Sequence, residues 1–102
     1  FFTEIYAKHV RSLGRRGDIL LGRSTSGHSP NVLQAVHAAQ ERGMRCIILS
    51  GRDGGDIAEA LGENDIEVRV PSSSTARIQE VHILAIHCLC DLIDQQLLKQ
   101  EN

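Results

Sequence analysis

The chain has 102 residues and a formal net charge of −2, from 11 Lys and Arg against 13 Asp and Glu. This length suits one domain with a modest core. The balanced charge points to no polyanionic partner, and 3% aromatic residues argue against stacking on single-stranded nucleic acid. No apolar run reaches the ~20 residues that span a bilayer, so we expect no membrane segment.

The three cysteines lie inside apolar runs and lack the spacing of a metal site. They are Cys46, Cys88 and Cys90. Such cysteines are typical of small core residues in a reducing compartment. We therefore expect a cytoplasmic protein with all three side chains in the core.

The first half of the chain predicts a helix, a strand and a second helix. Apolar residues recur at helical spacing over residues 2–13. The run DILLG, residues 18–22, has the continuous apolar character of a strand that is buried on both faces of a parallel sheet. Residues 30–43, PNVLQAVHAAQERG, predict a second helix that ends with Gly43 in a left-handed cap.

The second half repeats this alternation of strands and helices. Residues 44–50, MRCIILS, predict a strand, and residues 56–62, DIAEALG, predict a short helix. Alternation in IEVRV, residues 66–70, indicates a half-covered strand near an edge of the sheet. Residues 77–100 predict one long helix that is apolar on almost every side, so we expect it to be buried against more than its own sheet.

The order α-β-α-β-α-β-α with short joins indicates a three-layer α/β fold, a parallel sheet flanked by helices. Three strands are few for such a sheet. Together with the apolar last helix, this indicates that the chain is half of a larger unit or is completed by partner subunits.

The loop STSGHS, residues 24–29, follows the first strand, where ligands bind in open α/β sheets. Ser29 suits the N-cap of the second helix and Pro30 suits its first turn. Backbone donors there lie at the positive end of a helix, which favours an anion. The loop has neither a P-loop lysine nor a G-x-G-x-x-G pattern, so a sugar phosphate fits it better than a nucleotide. An ordinary polar turn with a helix cap is the alternative.

Four stretches together resemble the phosphoheptose isomerases of the sugar isomerase (SIS) family: GDILLGRSTSGHSPNVLQAVHAAQERGM, LSGRDGG, IEVRVPS and ARIQEVHILAIHCLCDLI. The resemblance covers nearly the whole chain and corresponds to the family's second half. It implies that residues 1–102 are the C-terminal portion of a single SIS domain, with a flavodoxin-like parallel sheet. It also implies a cytoplasmic homotetramer that binds zinc. The implied reaction converts sedoheptulose 7-phosphate to D-glycero-D-manno-heptose 7-phosphate for lipopolysaccharide heptose synthesis.

The resemblance also assigns individual site residues. The implied substrate-phosphate ligands are Ser24, Thr25, Ser26 and Ser29, with Gln79 as a substrate and zinc ligand and His87 as the catalytic, zinc-binding histidine. The family's acidic catalytic residue and another zinc-binding histidine belong to its first half, so this chain should not catalyse the reaction alone. Three positions depart from the family's usual residues, namely Arg23, His28 and Ala76.

The chemistry of aldose–ketose exchange accounts for a histidine in this site. The reaction needs a base at carbon and a group that moves a proton between neighbouring oxygens, and imidazole titrates in the right range. From the residues alone, His87 also fits a buried histidine that is bonded to a backbone carbonyl; the resemblance favours catalysis. Gln79 and His87 are separated by ~12 Å of helical rise, so a zinc site would need residues from the missing half. We expect His82 to be structural.

Two interpretations remain beside these. The GRDGG stretch, residues 51–55, is typical of a tight turn, in which Arg52 and Asp53 would pair across the turn or toward a subunit. The alternative function is a non-catalytic protein of the DiaA type, which binds the replication initiator DnaA as a tetramer. His87 favours an enzyme, because the DiaA type has Asn there.

Overall fold

A computed structural model of the chain describes the backbone of residues 5–101 and the side chains of residues 7–97. The elements are α1 (Ile5–Leu13), β1 (Ile19–Ser24), α2 (Pro30–Glu41), β2 (Arg45–Gly51), α3 (Gly55–Ala60), β3 (Ile66–Val70) and α4 (Thr75–Glu101). Their order confirms the predicted alternation of helices and strands. The start of the first predicted helix, residues 2–4, lies outside the described residues.

The sheet has three parallel strands in the order β1-β2-β3. β2 lies at the centre because its apolar run can be buried on both faces, and β3 lies at an edge, as predicted. β1 continues to Ser24, two residues beyond the predicted end, because Arg23 and Ser24 stay in register with Leu49 and Ser50. None of the helices in the described range is long and apolar enough to cross a membrane.

The core lies on one face of the sheet, against α2 and α3. Its buried members are Val36, Ala39, Cys46, Ile48 and Ile57. Burial, and secondarily the charge of Asp65, raises the pKa of the Cys46 thiol to about 11, so this cysteine is a protonated core residue at neutral pH. The prediction of three core cysteines is wrong for Cys88 and Cys90, which are exposed on α4.

The opposite face of the sheet is largely open within the described part of the chain. Leu21 and Val68 are 46% and 41% exposed. Across that face, only Ile78 and His82 of the described side chains of α4 are buried. The helix therefore leaves large apolar side chains exposed, namely Val81, Ile83, Leu84, Leu92, Ile93 and Leu97. An apolar face of this extent is typical of a surface that further protein covers.

His82 joins α4 to the end of β2. Its Nε2 lies 2.7 Å from the carbonyl oxygen of Ser50, in a fully buried position. A carbonyl can only accept, so Nε2 donates and carries the proton. Nδ1 is buried without a partner among the described residues. The contact agrees with a structural role, since it places the helix that carries Gln79 and His87.

Asp65 fastens the loop before β3 to the start of β2. One carboxylate oxygen accepts from the Cys46 N–H at 2.8 Å. The other accepts from the Gly62 N–H at 2.8 Å and from Nε2 of Gln40 at 3.1 Å. Burial alone would raise the pKa of Asp65, but the bonds from Gly62, Cys46 and Gln40 outweigh it, so the pKa lies below its ordinary 3.8.

Replacing Asp65 by Asn should therefore destabilise the protein in a pH-dependent way. The folded carboxylate has the lower pKa, so its contribution is present above pH ~4 and is lost as the pH falls through that lowered pKa. We expect Asp65→Asn to reduce the apparent free energy of unfolding by about 1 kcal/mol at pH 7, with a smaller difference at pH 3. Urea denaturation at both pH values measures this. An equal loss at the two pH values, or the same loss in the exposed control Glu59→Gln, would contradict it.

Candidate functional site

The loop between β1 and α2 is held together by its own hydroxyl groups. Ser24 is only 5% exposed, and its Oγ accepts the N–H of Gly27 at 3.1 Å and that of Ser29 at 3.4 Å. Oγ of Ser26 accepts the N–H of His28 at 3.1 Å. Three of the backbone N–H groups near the start of α2, those of Gly27, His28 and Ser29, thus have partners inside the loop. Each hydroxyl still has its own hydrogen to donate.

Ser29 occupies the N-cap position of α2, as predicted, but its side chain makes no capping hydrogen bond. Its carbonyl accepts the N–H of Leu33 at 3.0 Å, and Pro30 begins the helix. Thr25 and Ser29 are half-buried. The Ser29 hydroxyl is therefore not committed to the helix cap and can serve another partner.

The loop rests against the turn that precedes α3. Gly27 has φ +77, and a Cβ at this position would lie 2.1 Å from the carbonyl oxygen of Gly54. The Gly27 carbonyl accepts the N–H of Ile57 at 3.0 Å. His28 adds a side-chain contact, with Nδ1 3.1 Å from Oδ2 of Asp56. The turn thus fixes the position of the loop, and only glycine fits at the closest approach.

Arg52 and Asp53 do not pair with each other across the turn, because each side chain has another partner in this chain; a pairing toward a subunit stays a prediction. Nη2 of Arg52 donates to Oγ1 of Thr75 at 3.2 Å, and Oδ1 of Asp53 accepts the N–H of Gly55 at 3.1 Å. Arg52 is the one non-glycine residue with positive φ, +56, in the part of the chain that the structure describes. A side chain in that region costs about 1 kcal/mol.

The ion pair of Glu67 and Arg69 on β3 packs against the turn that precedes α3. Arg69 donates to both carboxylate oxygens of Glu67 at 2.9 Å, and Oγ of Ser50 donates to Glu67 at 2.5 Å. The bond from Arg69, against an opposing effect of burial and with help from Ser50, lowers the pKa of Glu67. A Cβ at Gly54 would lie 2.5 Å from the Arg69 guanidinium. The turn is therefore seated directly on this pair.

Three loops line an open groove of about 430 Å³ beyond the carboxyl ends of the strands. They contribute Ser26 and His28, Arg52 and Asp53, and Ser72 and Ser73. Sequence reasoning placed Ser26 here but missed Arg52. The GRDGG stretch has the residues of an ordinary turn. The sequence alone does not indicate that its arginine faces residues 24–29, here called the serine loop.

The helix residues of the predicted site lie apart from the groove lining. Gln79 and His87 are exposed on α4, and ~12 Å of helical rise separates them. The imidazole of His87 is a usual zinc ligand, whereas the amide of Gln79 is not among the usual ones. No group of three His, Cys, Asp or Glu suited to a metal occurs among the residues described. These residues alone do not form a zinc site.

All three departures from the family pattern are exposed. Arg23 is exposed at the end of β1, and Ala76 is exposed in the first turn of α4. The third, His28, faces the groove and contacts Asp56.

A family model described as the SIS domain matches residues 2–51. The chain is 66% identical over 96 residues to a phosphoheptose isomerase of Chromohalobacter salexigens, and 65% identical over 96 residues to one of Alkalilimnicola ehrlichii. Each match covers 94% of this chain and 49% of the relative. The chain thus spans about half the length of the curated relatives it matches.

Solved structures agree with this relation. The phosphoheptose isomerase of Neisseria gonorrhoeae is 56% identical with a TM-score of 0.88, over 90% of this chain and 51% of that one. That of Francisella tularensis is 50% identical with a TM-score of 0.89, over 92% and 51%.

The parallel α/β layers, the serine loop at the strand ends and the sequence matches together show the SIS-type fold and relate the chain to the SIS-domain family. Within that family, it resembles one half of the phosphoheptose isomerases over nearly its whole length. The predicted fold class and the predicted resemblance to this family are confirmed.

Proposed function

We propose that the protein containing this chain is a phosphoheptose isomerase, which converts sedoheptulose 7-phosphate to D-glycero-D-manno-heptose 7-phosphate for heptose synthesis. The observation that carries the proposal is the 66% identity over 96 residues to a relative of that name. The serine loop at the carboxyl edge of the sheet supports it, because this is where α/β proteins hold phosphorylated ligands.

In the proposed site, the hydroxyls of Thr25, Ser26 and Ser29 donate to the phosphoryl oxygens. Ser24 is buried beneath them, and its oxygen holds the N–H groups of Gly27 and Ser29. Its main contribution is therefore the shape of the loop. Short hydroxyl donors on a prepared loop orient the phosphate without having to be ordered by it.

The reaction moves a proton from carbon 1 to carbon 2 of the sugar through an enediol, while a second proton passes from the oxygen on carbon 1 to that on carbon 2. We assign the transfer between oxygens to His87, since imidazole both accepts and donates near neutral pH. Gln79 donates from its amide to a sugar hydroxyl. The acid–base group at carbon lies outside this chain, so both halves of the protein are needed.

Zinc, a homotetramer and a cytoplasmic location are further parts of the proposal. The exposed apolar residues Val81, Ile83 and Leu84 of α4 support assembly, because a lone chain would leave them in water. Gln79 and His87 would supply two of the zinc ligands. The remaining ligands would come from protein beyond this chain.

The DiaA-type alternative, a partner of DnaA without activity, is not favoured. The relatives with which the chain shares 66% and 65% identity carry the name of the enzyme. His87 also stands where that type has Asn.

An assay of the intact protein tests the proposal. Incubation with sedoheptulose 7-phosphate should yield the aldose phosphate, detected by NMR of its anomeric proton, and metal analysis of the purified protein should find one zinc per subunit. If the protein shows no turnover with or without added zinc and binds DnaA tightly, the isomerase proposal is wrong and the DiaA-type function is favoured.

A further inference from the structure

We propose that Arg52 binds the phosphoryl group of the substrate, as the cationic wall of the groove that the serine loop lines. The inference rests on the proposed function, because it takes a sugar phosphate as the ligand. Arg52 lies in the turn that connects β2 to α3, and the proposal gives this turn a role in ligand binding.

Arg52 supplies the positive charge that a phosphate in this groove would require. A phosphate monoester carries about −1.5 to −2 at neutral pH, and the serine loop offers hydroxyls but no lysine or arginine of its own. His28 is engaged with Asp56. Among the residues that line the groove, Arg52 is the one arginine or lysine. It faces Ser26 and His28 across the same space.

The backbone and the side chain of Arg52 are both fixed by hydrogen bonds that leave most of the guanidinium donors free. Its backbone N–H donates to the carbonyl of Val70 at 3.1 Å, and Nη2 donates to Oγ1 of Thr75 at 3.2 Å. A guanidinium has five N–H donors in a planar fork. The Thr75 bond occupies one of them, so the exposed head can still bind two phosphate oxygens. Its backbone is left-handed, φ +56, and its side chain is exposed.

The carboxylate of Asp53 also faces the groove and must be reconciled with an anion there. Oδ1 accepts the N–H of Gly55 at 3.1 Å. The charge of Asp53 is also felt by Arg69, whose pKa is raised mainly by Glu67 and further by Asp53. This carboxylate is thus partly compensated from the β3 side, and Arg52 remains available to the ligand.

The alternative is that Arg52 only connects the turn to the start of α4. Two variants distinguish phosphate binding by Arg52 from this purely connecting role. Thr75→Val removes the partner of Nη2 and keeps the positive charge, whereas Arg52→Gln removes the charge. A purely connecting role predicts the same defect in both, and phosphate binding predicts a much larger defect in Arg52→Gln.

The experiment measures inhibition by inorganic phosphate, together with kcat and KM for sedoheptulose 7-phosphate, in the intact protein. We expect Arg52→Gln to raise the phosphate inhibition constant and KM about tenfold, with kcat within about threefold. Arg52→Lys should recover most of the affinity, and Thr75→Val should change it by no more than about twofold. Arg42→Gln, an exposed arginine at the other end of α2, should match the wild type.

Folding is controlled with Arg52→Gly, which adopts a positive φ without strain. It should melt at or above the wild-type temperature and still lose phosphate affinity. Phosphate binding followed by ³¹P NMR needs no turnover. If phosphate binds in an Arg52-dependent manner without isomerisation, the inference stands and the proposed function fails. If Arg52→Gln and Arg52→Gly bind phosphate within twofold of the wild type, or the wild type binds none, the inference is wrong.

Discussion

Replacing His87 by Asn should reduce kcat of the proposed isomerase, measured on the intact protein, by at least about 10²-fold. A positioned acid–base group contributes ~10²–10⁴-fold to such a reaction, and an amide cannot take up and release a proton near neutral pH. The side chain is exposed within this chain and Asn is no larger, so we expect the melting temperature to change little. The measurement is kcat and KM for sedoheptulose 7-phosphate at pH 7.

His37→Asn is the matched control, since His37 is an exposed histidine on α2, away from the proposed site. It should keep the wild-type kcat. If His87→Asn retains more than a tenth of the wild-type kcat, His87 has no part in the proton transfer. The zinc content of the same variant shows whether the imidazole also binds the metal: retention of zinc with loss of kcat would confine its role to the proton.

Replacing Gly27 by Ala should destabilise the protein by about 3 kcal/mol and abolish measurable phosphate binding. The positive φ of +77 disfavours any side chain, and the new Cβ would meet the Gly54 carbonyl oxygen at 2.1 Å. That neighbour is backbone, so relief requires the serine loop and the turn before α3 to separate. The strain contributes about 1 kcal/mol and the overpacking about 2 kcal/mol.

Gly17→Ala separates the two effects. Gly17 has φ +90, but a Cβ there has no atom within 4 Å. It should therefore show only the conformational penalty of about 1 kcal/mol and leave phosphate affinity unchanged. Thermal denaturation and phosphate inhibition of both variants give the comparison. Equal destabilisation by the two substitutions would show that the contact with the turn before α3 does not fix the position of the serine loop.

The order of elements could be predicted because periodicity and turn residues act locally. Gly43 adopts the left-handed cap with φ +74, and β3 has the predicted bounds of Ile66–Val70. Whether a helix face is buried depends on residues far away in the sequence, so it could not be predicted in the same way. The sequence predicted that Cys88 and Cys90 are core residues because α4 is apolar all round, whereas the sheet in this chain reaches only its first turns.

The serine loop was predictable in position and composition but not in its internal bonds. Ser24 is one of four similar hydroxyls in the sequence, and only the end of β1 buries it and directs its oxygen to two backbone donors. The place of Arg52 depends on the left-handed turn and on Thr75, 23 residues later. Such contacts between distant segments leave no periodic trace in the sequence.

The oxygen of Ser24 holds the N–H groups of Gly27 and Ser29, which an arriving anion would otherwise have to organise. The conformation of the loop is therefore fixed by its own hydrogen bonds and does not depend on a bound ligand. Association of a phosphorylated ligand should then be limited by encounter rather than by rearrangement of the loop. A phosphorylated ligand would then bind without paying to order the loop, so more of the contact energy would appear as affinity.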